Sequence, residues 1–425
     1  MHRTHTSVGR VAAVLTVFVG LAVLGPNPAG SQSNEPLLHQ SDLQYLGAFR
    51  VPQGSSDQTS FGYGGTAPAY NSANNSLFLV GHDWYQLTAE VTIPTPVNST
   101  SLSALKTATI LQPFADATNG LLNQTGGTQN KIGGQLVYGG RLYGTVYIYY
   151  DAADVQVLSH WVRPSTGLTA GTAQGLFQVG AIGAGFVSGY MAPIPAEWQA
   201  SFGGPALTGN CCLSIIGRTS FGPAVSVFDP ADLGVKNPVP TTPVLYYDGA
   251  HPTLGPWNGS WNGTTEVFNS TTNSGGNGRV GLVFPEGTRS VLFFAQQGIG
   301  TFCYGSGGAS GGDCYDPDYS WKGNHAYPYT YAVWAYDAND LLAVKNGQKQ
   351  PWQPVPYAVW TFSLPFGTGY LNGAAWDPAT RRIYLSQGHA DGIGANPVIH
   401  VFQVAQGATA PPEAPPAAPT NLRVQ

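Results

Sequence analysis

Two segments of this chain repeat each other almost position by position, and that repetition constrains the fold more than any other feature. Ala69-Tyr70-Asn71-Ser72-Ala73-Asn74-Asn75-Ser76-Leu77-Phe78-Leu79 matches Ala375-Trp376-Asp377-Pro378-Ala379-Thr380-Arg381-Arg382-Ile383-Tyr384-Leu385 in residue type. Each reads as a strand, a tight polar turn and a second strand, and both second strands end in a Gly-His pair, Gly81-His82 and Gly388-His389. A second match joins Val225–Leu233 with Val333–Leu341, a third strand followed by an Asp-bearing turn. Such self-similarity means that one supersecondary unit is used several times, neighbours burying each other's apolar faces.

Extended along the chain, the pattern divides into five units of up to four strands. The first spans Gly65–Tyr70, Ser76–Gly81, Leu87–Ile93 and Thr107–Phe114; the second Gly133–Tyr138, Arg141–Tyr150, Val157–Val162 and Gly175–Val179. The third spans Gly189–Ile194, Cys212–Gly217, Ala224–Phe228 and Pro243–Tyr247; the fourth Gly278–Phe284, Ser290–Gln296, Tyr331–Tyr336 and Ala358–Leu364. The fifth has Leu371–Trp376, Arg382–Ser386 and Val398–Val404 but no fourth strand, and Leu43–Val51 is a strand left over at the start. Joining the two closes a ring and removes both sheet edges. The expected fold is therefore all-β, a five-bladed β-propeller closed by an N-terminal strand over 32–406. A six-bladed ring and a pair of two-sheet sandwiches are the alternatives, and a sandwich leaves the offset first strand unexplained. The first strands are small and apolar, as in Gly133-Gly134-Gln135 and Gly373-Ala374-Ala375, which suits strands converging on a narrow channel.

Composition agrees. Hydrophobic residues at 42% and aromatics at 12% can bury a large core, while 56 glycines and 33 prolines punctuate many short strands. Charged residues make up only 9% of the chain and the net charge is -5, against a typical charged share of ~25%, which excludes a basic nucleic-acid footprint. Residues 1–31 read as a secretory signal: Arg3 and Arg10, the apolar run Val11–Leu24, then Ala29-Gly30-Ser31 for cleavage. That run is shorter than the ~20 residues a spanning helix needs, so the expectation is a secreted protein, extracellular or at the cell surface, with no membrane span. In that setting four cysteines favour disulfides. Cys303 and Cys314 flank a Gly/Ser-rich loop and are the expected pair, whereas the pairing of adjacent Cys211 and Cys212 stays open.

In a propeller, the loops after the second strands and those leading into the next first strand open on one face, where sites gather. That face is expected to carry Asp83, Asp151 and Asp391 as candidate catalytic carboxylates, for which the bland reading is a turn cap. His82, Trp84, Tyr63, Tyr150, Arg218, Trp257, Trp261 and His389 are the candidate substrate-binding residues, aromatics to stack on sugar and polar groups to orient it. His82 and His389 hold equivalent places in units that closure makes adjacent, so they are also candidate metal ligands, as are Asp313, Asp316 and Asp318 for a loop-stiffening calcium. No cofactor is required by any motif.

The strand pattern resembles five-bladed propellers as a class, one that includes several glycoside hydrolase families. The resemblance covers nearly the whole mature chain but matches no family's catalytic motif, so it implies carbohydrate work without assigning a residue. After the Ala/Pro-rich stretch from Gly407, Pro419–Gln425 resembles the first strand of a fibronectin type III domain. Two functions follow as expectations: action on or recognition of an extracellular polysaccharide, with glycoside hydrolysis included, or a structural or adhesive surface or fibre protein.

Overall fold

The computed structural model describes residues 33–151, 153–210, 218–255, 280–299, 327–367, 369–392 and 395–405. Among the described residues twenty strands form five four-stranded antiparallel sheets. Blade 1 is β2 (Thr66–Asn71), β3 (Ser76–Val80), β4 (Thr88–Thr92) and β5 (Ile110–Ala115); blade 2 is β6 (Asn130–Tyr138), β7 (Arg141–Ile148), β8 (Leu158–Val162) and β9 (Gln174–Gln178). Blade 3 is β10 (Met191–Pro193), β11 (Ala206–Gly209), β12 (Val225–Phe228) and β13 (Thr241–Leu245); blade 4 is β14 (Gly281–Val283), β15 (Ser290–Gly298), β16 (Tyr329–Asp337) and β17 (Ala358–Phe362). Blade 5 is β18 (Leu371–Asp377), β19 (Arg382–Asp391), β20 (Asn396–Val404) and, as its outer strand, β1 (Leu43–Arg50). The leftover strand closes the ring, running antiparallel to β20 with Leu43 opposite Val404 and Arg50 opposite Val398. The chain is a five-bladed β-propeller.

Each blade lies between two others, so its middle strands are buried on both faces and read as continuous apolar runs rather than alternating ones. All five residues of β3 are buried, whereas β5 and β17 at the rim are largely open. The core is accordingly a set of inter-blade layers. One joins blades 3 and 4 through Tyr190, Trp198, Phe202, Phe293 and Tyr336; another joins blades 5 and 1 through Phe49, Leu77, Leu79, Tyr384 and Ile399. Burying each large apolar side chain of this kind is worth ~1.5–3 kcal/mol.

At the axis the small residues are required. A Cβ on Gly134 would lie 2.3 Å from the Gly189 carbonyl oxygen, and one on Gly373, at φ +126°, would lie 2.6 Å from the Pro68 ring. The inner strands meet so closely that the axial channel narrows to a space of about 20 Å³, little more than a water needs.

A contact recurs at the rim. Each blade's fourth strand, or the residue just past it, is tied to the connection between the third and fourth strands of the next blade. Ala48 N–H donates to the Val97 carbonyl at 3.1 Å, Leu168 N–H to the Gln112 side chain at 2.8 Å, Val239 N–H to the Gln178 carbonyl at 2.9 Å, and Tyr246 N–H to the Pro351 carbonyl at 3.1 Å. Between blades 4 and 5 the segment ahead of β1 takes that place, the Gln40 amide donating to the Thr361 carbonyl at 2.8 Å. That segment is also held on blade 4, where Leu38 N–H donates to the Ser290 hydroxyl at 2.8 Å and Ser33 and Asn339 exchange two hydrogen bonds.

The structure corrects one strand. The second strand of blade 3 is β11, earlier in the chain than the expected Cys212–Gly217, and residues 211–217 lie outside the described residues. The displacement arises because helix α1 (Ala196–Phe202) ends at Gly203 in the left-handed region, which turns the chain straight into Ala206. A second helix, α2 (Ala338–Lys345), follows the matched third strand of blade 4, its N-cap Asp337 accepting the Asn339 N–H at 2.9 Å. The repeated aspartates are turn and helix caps: Asp229 caps a single 3-10 turn, and Asp377 accepts from Ala379 and Thr380. The signal, the C-terminal tail, and the Cys303–Cys314 and Cys211-Cys212 positions all lie outside the described residues.

Candidate functional site

The connections after the second strands and those leading into the next inner strand open on one face, called here the upper face. Most of the candidate residues meet there around blades 5, 1 and 2. Tyr63 precedes β2 in a left-handed backbone conformation, φ 56°, fixed by its N–H donating to the Ala395 carbonyl at 3.1 Å. Its half-exposed ring stands edge-on to both repeated histidines, with centroids 5.7 Å from His82 and 5.3 Å from His389. The two imidazoles thus share one phenol ring on neighbouring blades, as the repeat implies. Further contacts include Tyr85, 5.2 Å from His82, and Tyr370, 5.9 Å from His389, while His82 Nδ1 accepts the Trp84 N–H at 3.2 Å. Among the described residues no three His, Cys, Asp or Glu side chains come close enough together to hold a metal. Asp313, Asp316 and Asp318 lie outside those residues.

Each of the three candidate carboxylates has its own partners. Asp151 is 3% exposed and accepts the Val155 N–H at 2.8 Å and the Gln156 N–H at 3.0 Å, capping its own loop. Asp391 at the end of β19 accepts the Arg50 Nε at 2.7 Å, a pair made within blade 5 across β20. Asp83 accepts the Lys131 ammonium at 2.5 Å with its side chain about a quarter exposed (26%). Arg218 is buried and donates to the Ile148 and Tyr149 carbonyls at 2.9 and 3.3 Å, holding the loop that presents Tyr150. Burial draws its guanidinium below the ordinary value, opposed by neighbouring Asp151.

Lys131 organises the exposed part of this face. From the start of β6 its ammonium bridges to blade 1, pairing with Asp83 and donating to the Asp83 carbonyl at 3.0 Å. It also lies 5.9 Å from the centre of the Trp84 ring and 6.0 Å from that of Tyr149, within cation–π range of both. Tyr149 in turn meets Tyr150 edge to face at 4.7 Å. Trp84 is 80% exposed and Tyr150 67%, so these rings stand out from the surface while their bases are fixed. Lys131 was not singled out from the sequence. In a chain with 17 lysines and arginines, a lysine two residues before the glycine pair of an inner strand is a signal that could have found it. Trp257 and Trp261 lie outside the described residues.

No family model matches the chain, nor does a search of curated proteins find a relative. Among solved structures, similar chains include one from the GH130 family of mannoside phosphorylases, which contains glycoside hydrolases that target β-1,2-mannosidic linkages in Candida mannan, at 13% identity, covering 89% of this chain and 99% of that one with a TM-score of 0.36. A putative exo-β-1,3-galactanase from Bifidobacterium bifidum s17 matches at 9% identity over 86% and 97% of the two chains, TM-score 0.40. An exo-1,5-α-L-arabinanase from a bovine ruminal metagenomic library matches at 8% over 80% and 94%, TM-score 0.39. At these values the likeness carries no functional argument, and the fold stands on the five closed sheets themselves.

Proposed function

We propose that this is a secreted propeller that recognises an extracellular polysaccharide on its upper face. The observation that carries the reading is the pair of outstanding rings, Trp84 and Tyr150, tethered through Lys131 and Tyr149. Exposed large aromatics cost solubility unless they meet a partner, and sugar rings present apolar C–H faces that stack on them. Lys131 and Asp83 supply donors and acceptors beside the rings. Recognition suits this arrangement better than hydrolysis. A glycosidase needs two carboxylates ~5–9.5 Å apart facing the substrate, whereas Asp151 and Asp391 spend their oxygens on backbone amides and a guanidinium. One observation favours a structural or adhesive role instead: the channel is nearly filled.

The test is a polysaccharide array with the mature chain, scored for retention and for released reducing ends. Retention without release is expected, with Trp84→Ala and Tyr150→Ala each weakening it about tenfold. Retention of no polysaccharide would overturn the reading in favour of the structural role. Release that Asp83→Asn abolishes while retention persists would convert it to hydrolysis.

A further inference from the structure

The opposite, lower face holds a different kind of feature. There the far ends of the inner strands and the turns after them enclose a cavity of about 310 Å³, at the small end of the ~300–1,000 Å³ typical of ligand pockets. Every residue lining it is described, and none is a lysine or arginine. Its walls are apolar, among them Leu136, Met191 and Leu282, with the Trp376 and Tyr70 rings added. Polar side chains interrupt them, Ser72, Gln199, Glu286 and Gln135. Glu286, in the turn after β14, accepts the Trp376 indole N–H at 2.5 Å. Gln135 on β6 borders both the cavity and the axial channel, is 2% exposed, and neither its amide nitrogen nor its amide oxygen has a partner among the described residues.

A buried amide with no partner costs free energy, of the order of the full desolvation of the group, so its retention needs a reason. The amide offers both a donor and an acceptor, which a hydroxyl satisfies in one contact. Anions are disfavoured because Glu286 lines the cavity and no lysine or arginine does, the nearby Arg381 guanidinium being engaged on the Glu286 carbonyl at 2.9 Å. The constriction above the cavity stops anything larger than water from continuing to the upper face, so the occupant is compact.

We propose that the lower mouth binds a single neutral pyranose ring, with Gln135 and Glu286 taking its hydroxyls and Trp376 and Tyr70 lying along its C–H surface. This site is separate from the upper face and does not depend on polysaccharide binding there. Burial, reinforced by Glu197 and opposed by the Trp376 indole and Arg381, holds the Glu286 carboxyl above its ordinary range.

The experiment is saturation-transfer NMR with calorimetry on the full chain, using methyl β-D-glucopyranoside, methyl β-D-galactopyranoside and methyl α-D-mannopyranoside, with glucuronate and glucosamine as charged counterparts. At least one neutral glycoside should bind saturably at one per chain, and Gln135→Leu and Glu286→Ala should each weaken it about tenfold. Gln135→Leu should melt no lower than the parent, because it removes an unpaired buried amide, and Trp84→Ala should leave glycoside binding unchanged. The proposal falls if no glycoside binds, if glucosamine alone binds, or if binding survives both lower-mouth substitutions, which would leave Gln135 facing channel water only. Loss on Trp84→Ala instead would move the sugar to the upper face and also overturn it. Failure of the upper-face reading would show separately, in the polysaccharide array.

Discussion

Glu90 and Glu286 are both withdrawn from water, yet their surroundings treat the same carboxyl in opposite ways. Glu90 on β4 has no exposed surface and accepts from four side chains: Asn71 at 2.8 Å, Asn74 at 2.9 Å, the Ser76 hydroxyl, and Gln112 at 2.5 Å. Burial pushes its affinity for a proton up, but the donors prevail and hold it below the usual carboxylate range. Glu286 accepts from the Trp376 indole and faces a cavity, so burial prevails and it sits above that range. Burial alone therefore decides neither sign; the supply of donors does. A saturated carboxylate locks the turn of blade 1, while the undersupplied one retains capacity to bond something else.

Removing the saturated carboxylate should have the largest effect. Glu90→Ala orphans donors on three strands and a turn, and urea unfolding should show a loss of about 3–5 kcal/mol. A loss under about 1 kcal/mol would mean that the network is an ornament of the surface rather than a lock. Glu90→Gln keeps the shape but places an N–H among donors, and a loss of about 1–3 kcal/mol is expected.

Acidity separates the two groups by sign. Glu90 has a depressed folded value, so its stabilisation is present above its unfolded value near 4.5 and is lost as pH falls through the lower folded one. The stability gap between the parent and Glu90→Gln should therefore narrow below about pH 4.5. Glu286 has a raised value, so its unfavourable contribution is present at neutral pH and disappears as pH falls through the folded value and then the unfolded one. Glu286→Gln should leave stability within about 1 kcal/mol at neutral pH, on the favourable side, with that advantage vanishing in acid. Parallel pH slopes for the two substitutions would break the comparison outright.

What could be read from the chain before folding was what local pattern encodes. Hairpins such as Ala69–Leu79 and Ala375–Leu385 carry strand, turn and strand within a dozen residues, and counting them yields the blades and the missing fourth strand. The cap at Asp151 is equally local, since its partners are four and five residues on. The site was less legible because its partners are distant. Arg50 reaches Asp391 across 341 residues and Lys131 reaches Asp83 across 48, and no spacing announces either. The buried amide of Gln135, without a partner among the described residues, is invisible in a strand of small residues, because that environment belongs to the shape of the whole ring. The place of strand β11 is hidden for a related reason: a seven-residue helix is too short to show a period.

The five rim ties and the closing strand also determine how the ring would respond to a mechanical load. Leu43 and Val404 face each other at the same end of adjacent antiparallel strands, so a pull applied between the two chain ends loads the β1–β20 hydrogen bonds one after another, like a zipper. Before that can begin, the pull must strip Ser33, Leu38 and Gln40 from blade 4. Tension between loops of two blades would instead load several ladders in shear at once. The propeller is thus weakest along the line joining its own ends, and the short segment ahead of β1 acts as the catch.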